Sequence, residues 1–241
     1  MHSVERAPES DFLAELRTAR SQWDDLDGDE RRHIREELRV DFAQCCAYCE
    51  NWCAEDIVDG ENRGTIEHFR PRSKFPDEWL TWLNLMYACQ RCNDTKGNLW
   101  PEPADATNRR LSVINRYSAV STYVDPNATP GQRPAEEFFA YHFDSGQIAA
   151  ADGLPSPEWS MAVRTISDLD LNSDYETVGD RVPYLRRERL DFIISRLGNL
   201  MEDIDLTIAV LREHARPNQP FSGFILAYAK ERFPLLREFL G

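Results

Sequence analysis

The chain has 241 residues, of which 41% are hydrophobic and 29% are charged, a composition typical of a soluble globular protein with a sizeable core. Its formal net charge of −14 argues against a solitary nucleic-acid binder, because neutralising phosphates requires a basic surface. No apolar run reaches the roughly 18 residues of a membrane span. The opening segment "MHSVERAPES" contains no apolar signal region, so we expect a cytoplasmic protein that does not contact a membrane.

Two amphipathic helices are predicted at the start of the chain. The first covers about residues 10–22 and has Ser10 as its N-cap, and the second covers about residues 29–44. We assign residues 1–44 to these N-terminal helices. Both helices are expected to pack on the segment that follows, and nothing in their sequence indicates a catalytic role.

Four cysteines form two C-x-x-C knuckles, Cys46 with Cys49 and Cys89 with Cys92. Two knuckles supply the four thiolates of a closed, tetrahedral structural zinc site. Redox-active cysteines or chance spacing are the alternatives. The knuckles are far apart, so a functional insert is expected between them. The two remaining cysteines, Cys45 and Cys53, are predicted to be small core residues.

The insert between the knuckles contains an acid next to a histidine. Glu67 and His68 lie at the end of a predicted strand–turn–strand segment, residues 57–67, in which Gly60 and Gly64 are predicted to break the strands. A lone histidine after a strand is more often structural than catalytic. Its place between two zinc knuckles favours a catalytic role.

The ordered motifs of this region resemble those of a known family. Asn84 lies in "LNL", and Asn93 directly follows the last knuckle in "CQRCNDTKGN", where a helix is predicted to begin. With the acid–histidine pair, these residues resemble the HNH family of nucleases over about residues 46–98. The resemblance implies an α+β fold, in which residues 45–110 form a ββα-metal core with a four-cysteine zinc site.

The chemistry of phosphodiester hydrolysis explains these residue types. A neutral imidazole suits removal of a proton from the attacking water, so His68 is the predicted general base. Glu67 and Asn93 offer the oxygen ligands that Mg²⁺ or Mn²⁺ prefers, although many family members have a histidine in place of Asn93. By resemblance, Asn84 holds the loop that orients His68. An ordinary turn residue is the alternative for Asn84.

Basic residues surround the predicted site, against the acidic balance of the whole chain. We predict that they grip phosphates of a nucleic acid. A solvated surface loop is the alternative. Four of these residues flank the acid–histidine pair, and the fifth lies at the start of the predicted helix: Arg63, Arg70, Arg72, Lys74 and Lys96.

The rest of the chain is predicted to be mainly helical. Residues 111–160 are expected to form a connection with a β-hairpin at 138–151. Residues 161–241 are expected to contain one long amphipathic helix, from about 183 to 215, and a last helix at about 221–239. A second basic cluster, for nucleic acid or for an acidic patch on a partner, comprises Arg181, Arg186, Arg187, Arg189 and Arg196.

The segments "CAYCE", "IEHFRPRSKFP" and "CQRCNDTKGN", followed by a helical half, resemble the HNH nuclease subunit of Septu-type antiphage defence systems, which is also found beside retrons. This resemblance implies a partner ATPase of the ABC/SMC type. The predicted function is a metal-dependent endonuclease that cuts DNA as the effector subunit of such a complex. A non-catalytic zinc adaptor for nucleic acid or an ATPase, and an HNH ribonuclease, are the alternatives.

Overall fold

The computed structural model describes residues 1, 3–53, 64–100, 123–127, 132–173, 182–198, 203–216 and 218–234. Within these residues the fold is α+β, as predicted, with two small antiparallel sheets among α-helices. The predictions for Arg63 and Arg181 fall outside the described residues. None of the helices described has the length and hydrophobicity needed to span a lipid bilayer.

The two N-terminal helices are confirmed, with earlier ends than predicted. Helix α1 covers Asp11–Ala19 and helix α2 covers Gly28–Asp41. The hydroxyl of Ser10 caps α1, and the carboxylate of Asp27 caps α2 by accepting hydrogen bonds from two backbone amides. Helix α1 ends before the predicted residue 22 because the backbone of Arg20 is already extended.

A ββα unit follows in the chain. Strand β1, Gly64–His68, pairs with strand β2, Leu85–Cys89, in antiparallel register, and helix α3, Gln90–Lys96, continues directly from β2. Cys89 is both the last residue of β2 and the N-cap of α3. The helix therefore begins before Asn93, earlier than predicted, because the thiol of Cys89 accepts a hydrogen bond from the first turn.

The prediction that Gly64 breaks a strand is wrong. Gly64 is the first residue of β1, and its partner in the register is Cys89. A Cβ atom at this position would lie only 1.9 Å from the ring of Tyr87. Glycine suits this position because the ring of Tyr87 packs directly on the strand backbone, and a larger residue would have to displace that ring.

The predicted hairpin is confirmed by strands β3, Phe139–His142, and β4, Gln147–Ala150. Its turn places Gly146 at a φ of 72°, where a side chain would be strained and a Cβ atom would clash with the backbone of Pro183. Helix α4, Ser156–Asp168, follows the hairpin.

The prediction of one long helix from 183 to 215 is wrong. Helices α5, Val182–Leu197, and α6, Ile204–His214, are separate, and α7 covers Ser222–Arg232. Arg189 of α5 donates a hydrogen bond to the Nδ1 atom of His214 at 3.0 Å. In a continuous helix these residues would be about 37 Å apart, so the two segments cannot belong to one helix.

The second basic cluster is not one surface. Arg186 is buried in α5 and donates hydrogen bonds to backbone carbonyls, among them that of Gly146 at 3.1 Å. Arg187 points to solvent and pairs with Asp191 at 3.7 Å, one helical turn away. The prediction that this cluster binds nucleic acid or an acidic patch on a partner is wrong for Arg186, because its guanidinium is buried and donates to backbone carbonyls of the protein interior.

The helical half packs on the ββα unit beside the cysteines. The guanidinium of Arg91, in α3, donates a hydrogen bond to the backbone oxygen of Asp170 at 2.7 Å, just after α4. Helix α2 packs on both strands of the unit. The ββα unit thus contacts both α2 and the C-terminal half.

Candidate functional site

The four sulfur atoms of the two knuckles lie together. The thiols of the buried residues Cys46, Cys49, Cys89 and Cys92 all lie within 4.8 Å of one another. The Sγ atoms of Cys49 and Cys89 are 3.8 Å apart. Four thiolates at the Zn–S distance of about 2.3 Å have this spacing on a tetrahedron. The cluster therefore fits a zinc ion in donor type, number and geometry.

The cluster joins a loop, a strand and a helix. The first knuckle is a tight turn in which the amide of Glu50 donates to the carbonyl of Cys46 at 3.0 Å. The amide of Ala47 donates to the carbonyl of Tyr87 in β2 at 2.8 Å, which fixes this turn to the sheet. An ion bound to both knuckles would therefore hold the ββα unit together at one end.

The other two cysteines are core residues, in agreement with the prediction. Cys45 and Cys53 are buried and lie outside the sulfur cluster. Burial raises the pKa of the Cys45 thiol to about 12 and raises that of Cys53 as well, so both stay protonated. Within the cluster, burial opposes ionisation of Cys46, but hydrogen bonds from the neighbouring thiols lower its pKa well below the ordinary value.

His68, the last residue of β1, lines a cavity of about 220 Å³. Its Nε2 atom lies 2.9 Å from the carbonyl oxygen of Trp79. Because a carbonyl only accepts, Nε2 carries the proton and Nδ1 keeps its lone pair in the neutral ring. Burial lowers the pKa of His68 to about 4, against a smaller opposing effect of the Trp79 carbonyl. The imidazole is therefore neutral near pH 7, as a base must be.

Glu67 lines the same cavity from the neighbouring position of β1. The ammonium of Lys96 and the hydroxyl of Tyr48 both donate to its Oε1 atom. Burial raises the pKa of Glu67 to about 7, and the nearby Lys96 ammonium opposes this shift. Because Glu67 lines the cavity, its carboxylate can offer an oxygen as a ligand.

Asn93 also lines this cavity, and its side chain is fixed to β1. Its amide nitrogen donates to the hydroxyl of Thr65 at 2.8 Å and to the carbonyl of Ile66 at 3.2 Å. With the nitrogen so held, the amide oxygen is the atom left for a ligand. A carboxylate oxygen and an amide oxygen beside one cavity are a donor set that suits Mg²⁺ or Mn²⁺. These residues fit a hard divalent cation.

Asn84 closes the loop between β1 and β2. Its side chain is fully buried and makes three hydrogen bonds to backbone, with the amide and carbonyl of Arg70 and with the carbonyl of Glu78. The backbone oxygen of Trp79, which holds His68, comes directly after Glu78. Asn84 thus contacts the backbone of this loop at two places, and its role in orienting His68 stays a prediction.

Two of the predicted phosphate-binding residues are buried. Arg70 forms an ion pair with Glu78 at 2.7 Å, and both side chains are almost inaccessible. Lys96 is completely buried, where it contacts Glu67 and donates to the backbone oxygen of His68 at 2.9 Å. The prediction that these two residues contact phosphate is corrected: their charges neutralise buried carboxylates instead.

Of the other predicted phosphate-binding residues, the structure describes Arg72 and Lys74, and both are exposed. Arg72 lines the cavity and pairs with Asp24 at 2.8 Å. Lys74 is exposed, and its ammonium donates to the backbone oxygen of Trp100 at 2.9 Å. The cavity therefore has one guanidinium at its wall and a lysine on the following turn.

Three contacts of the site were not predicted from the sequence. Thr65 shares a strand face with Glu67 by the two-residue period of a strand, so its contact with Asn93 had a signal. Tyr48 lies between the two cysteines of the first knuckle, so the sequence also contains a signal that it is close to the site. The ring of Trp23, which lies 4.7 Å from that of His68, comes from the N-terminal region and had no local signal.

Comparison with known proteins agrees with this geometry. Residues 46–99 match the HNH endonuclease family model. Two relatives bear the name Septu protein PtuB. The protein from Bacillus thuringiensis is 38% identical over 52 residues, which are 22% of this chain and 19% of that protein. The protein from Bacillus mycoides (strain KBAB4) is 25% identical over 189 residues, which are 72% of this chain and 60% of that protein.

The residues that match the family model are the ones that form most of the candidate site. The residues that match the HNH endonuclease family model form the ββα unit and the sulfur cluster, and they include every residue that lines the cavity except Trp23. The alignments span less than two thirds of the length of both relatives.

Proposed function

We propose that this chain is a metal-dependent endonuclease that hydrolyses phosphodiester bonds in DNA. The observation that carries the proposal is the convergence of His68, Glu67 and Asn93 on one cavity inside an HNH endonuclease domain. A base, two oxygen ligands and an exposed arginine, Arg72, are the parts that phosphodiester hydrolysis requires.

In this mechanism His68 removes a proton from the attacking water. Its Nδ1 atom has the free lone pair, since Nε2 is held by the carbonyl of Trp79. Glu67 and Asn93 would hold a divalent cation, whose positive charge would stabilise the negative charge that develops on the phosphate. Arg72 binds a phosphate next to the one that is cut.

In this proposal the zinc site has a structural role. The four thiolates hold the end of β2, the start of α3 and the first knuckle in one arrangement. Since Glu67 lies on β1 and Asn93 on α3, that arrangement sets the distance between the two proposed ligands of the catalytic cation. The structural zinc and the catalytic Mg²⁺ or Mn²⁺ thus have different donor sets, sulfur for one and oxygen for the other.

We further propose that the chain acts as the effector subunit of an antiphage defence complex with an ATPase of the ABC/SMC type. The similarity to the two Septu proteins supports this context. So does the net charge of −14, because an acidic chain with few exposed cations at its site gains from delivery by a partner. We propose a cytoplasmic location, which agrees with six cysteines that form no disulfide.

The proposal is tested by incubating the purified chain with plasmid DNA and with single-stranded RNA, in Mg²⁺ or Mn²⁺. Each reaction is run alone and with the ATPase encoded by the neighbouring reading frame, if one is present. We expect cleavage of DNA that needs the divalent cation while zinc stays bound. In Asn93→Ala, the Mg²⁺ concentration for half-maximal rate should rise about 10- to 100-fold.

Two results would contradict the proposal. Cleavage of RNA with DNA left intact would identify the ribonuclease alternative. Binding of nucleic acid or of the ATPase, without cleavage under any condition, would favour the zinc adaptor. The Asn93→Ala variant excludes a contaminating nuclease, because a contaminant would keep the parent's dependence on Mg²⁺.

A further inference from the structure

A short 3₁₀ turn, Trp23–Asp25, brings two residues of the N-terminal region to the nuclease cavity. The turn lies between α1 and α2, outside residues 46–99 that match the HNH family model. Trp23 lines the cavity together with His68, and the carboxylate of Asp24 contacts Arg72. The N-terminal helices thus contribute one wall of the site.

The indole of Trp23 packs on the imidazole of His68 in a T-shaped contact. The ring centroids are 4.7 Å apart and the ring planes are 84° from each other. This distance and angle are those of a favourable aromatic pair. A perpendicular ring at this distance blocks rotation of the imidazole about its Cβ–Cγ bond, because the turning ring would collide with the indole.

A second contact fixes the same imidazole from another side. Its Nε2 atom is held at 2.9 Å by the carbonyl oxygen of Trp79. A single hydrogen bond leaves a histidine ring free to pivot about that bond. With the indole of Trp23 against it, the ring of His68 keeps one orientation.

Trp23 is itself held by α2. Arg31 donates a hydrogen bond from Nη2 to the backbone oxygen of Trp23 at 3.2 Å, and its guanidinium lies 5.8 Å from the centroid of the indole. The 3₁₀ turn is closed by a reciprocal capping pair between Gln22 and Asp25, and the next residue, Leu26, is buried in the core. The indole is therefore a fixed wall.

We propose that Trp23 is a positioning residue for His68, which keeps Nε2 on the Trp79 carbonyl and leaves Nδ1 for the water that attacks the phosphate. The inference rests on the proposed nuclease function and adds to it a residue from outside the nuclease core. It predicts that loss of the indole slows the chemical step without weakening the binding of DNA.

The experiment compares Trp23→Leu and Trp23→Phe with Trp159→Leu in the full chain. Trp159 is a matched control, because it is half-exposed on α4 and does not line the cavity. In single-turnover cleavage of DNA, Trp23→Leu should slow the rate at saturating DNA at least about tenfold. Trp23→Phe should stay within about threefold of the parent, since a smaller aromatic ring still packs on the imidazole.

The concentration of DNA for half saturation separates positioning from direct contact with substrate. It should be the same in the parent and in Trp23→Leu. A tryptophan that stacked on a base would instead raise this concentration. Zinc content and melting temperature show that the variants are folded, and Trp23→Met replaces Trp23→Leu if the leucine variant loses its zinc.

A readout without substrate keeps this inference separate from the proposed function. The ¹⁵N shifts of the His68 ring, assigned with His68→Gln, report which nitrogen carries the proton. The parent should show the Nε2-protonated form, and Trp23→Leu should show an average of both forms. Unchanged nitrogen shifts or an unchanged cleavage rate in Trp23→Leu would overturn the inference. If the parent cut no nucleic acid, the proposed function would fail and the nitrogen shifts alone would decide on Trp23.

Discussion

Lys96 forms a completely buried ion pair with Glu67, the carboxylate proposed to hold the catalytic cation. The same ammonium donates to the backbone oxygen of His68 at 2.9 Å. One side chain of α3 thus fixes both proposed active residues at the end of β1. In the absence of a divalent cation, Lys96 supplies the positive charge that a buried carboxylate needs.

Removal of this ammonium should destabilise the fold. In Lys96→Met the side chain keeps most of its length but leaves the carboxylate of Glu67 buried without a cation. We expect the free energy of unfolding to fall by about 3 kcal/mol, measured by denaturant titration. The double variant Lys96→Met with Glu67→Gln should recover part of this loss, because no unpaired charge remains.

Lys74→Met is the matched control for this experiment. Lys74 lies in the loop between β1 and β2 and is exposed, but its ammonium donates to the backbone oxygen of Trp100, so its variant should lose only about 1 kcal/mol. If Lys96→Met were as stable as Lys74→Met, the ion pair would have no part in holding the site.

Zinc content should depend on the clustered cysteines alone. Cys92→Ser should bind less than one zinc ion per chain and unfold at a lower temperature, because a hydroxyl is a poor zinc ligand. Cys45→Ser, a change of the same size at a buried thiol outside the cluster, should keep the parent's zinc content by elemental analysis. Equal zinc in both variants would contradict the four-cysteine site.

The amide of Asn84 should stabilise the loop that carries Trp79. Asn84→Ala leaves three backbone groups of Arg70 and Glu78 without their partner, which should cost about 2–3 kcal/mol of stability and expose the loop to limited proteolysis. Asn98→Ala, which removes one exposed contact to a serine, is the control. A loop equally resistant in both variants would show that Asn84 is an ordinary turn residue.

Arg72 and Asp24 should have opposite effects on DNA binding. Arg72→Gln should weaken binding and reduce the slope of log affinity against log salt by about one unit, as expected for loss of one phosphate contact. Asp24→Asn should tighten binding about two- to threefold at low salt, because it frees the guanidinium. Arg32→Gln, an exposed ion-paired arginine of α2, controls for net charge. A common effect of both arginine variants would indicate charge alone.

The parts of the site that depend on short spacings could be predicted from the sequence. The two knuckles, the Glu67–His68 pair and Asn93 are short motifs whose residue types indicate metal binding and proton transfer. Their convergence follows because two paired strands and one helix in succession bring them together. The boundaries of the four predicted regions, by contrast, stay predictions.

Burial and long-range contacts could not be predicted in the same way. A basic residue carries the same charge whether it binds a phosphate or a buried carboxylate. The sequence therefore does not distinguish these two roles for Arg70 and Lys96. The apolar spacing continues in phase from α5 into α6, so the pattern predicts one helix where the structure has two. Trp23 had no signal, because its contact with His68 depends on how α1 and α2 pack.

The central claim is that the imidazole of His68 performs the chemistry at this cavity. It is tested most directly by the single-turnover rate of DNA cleavage in His68→Ala, compared with His33→Ala, a surface histidine of α2. We expect His68→Ala to be slower by at least about a hundredfold with parent zinc content and melting temperature, and His33→Ala to match the parent. A folded, zinc-loaded His68→Ala that cuts DNA at the parent's rate would contradict the account.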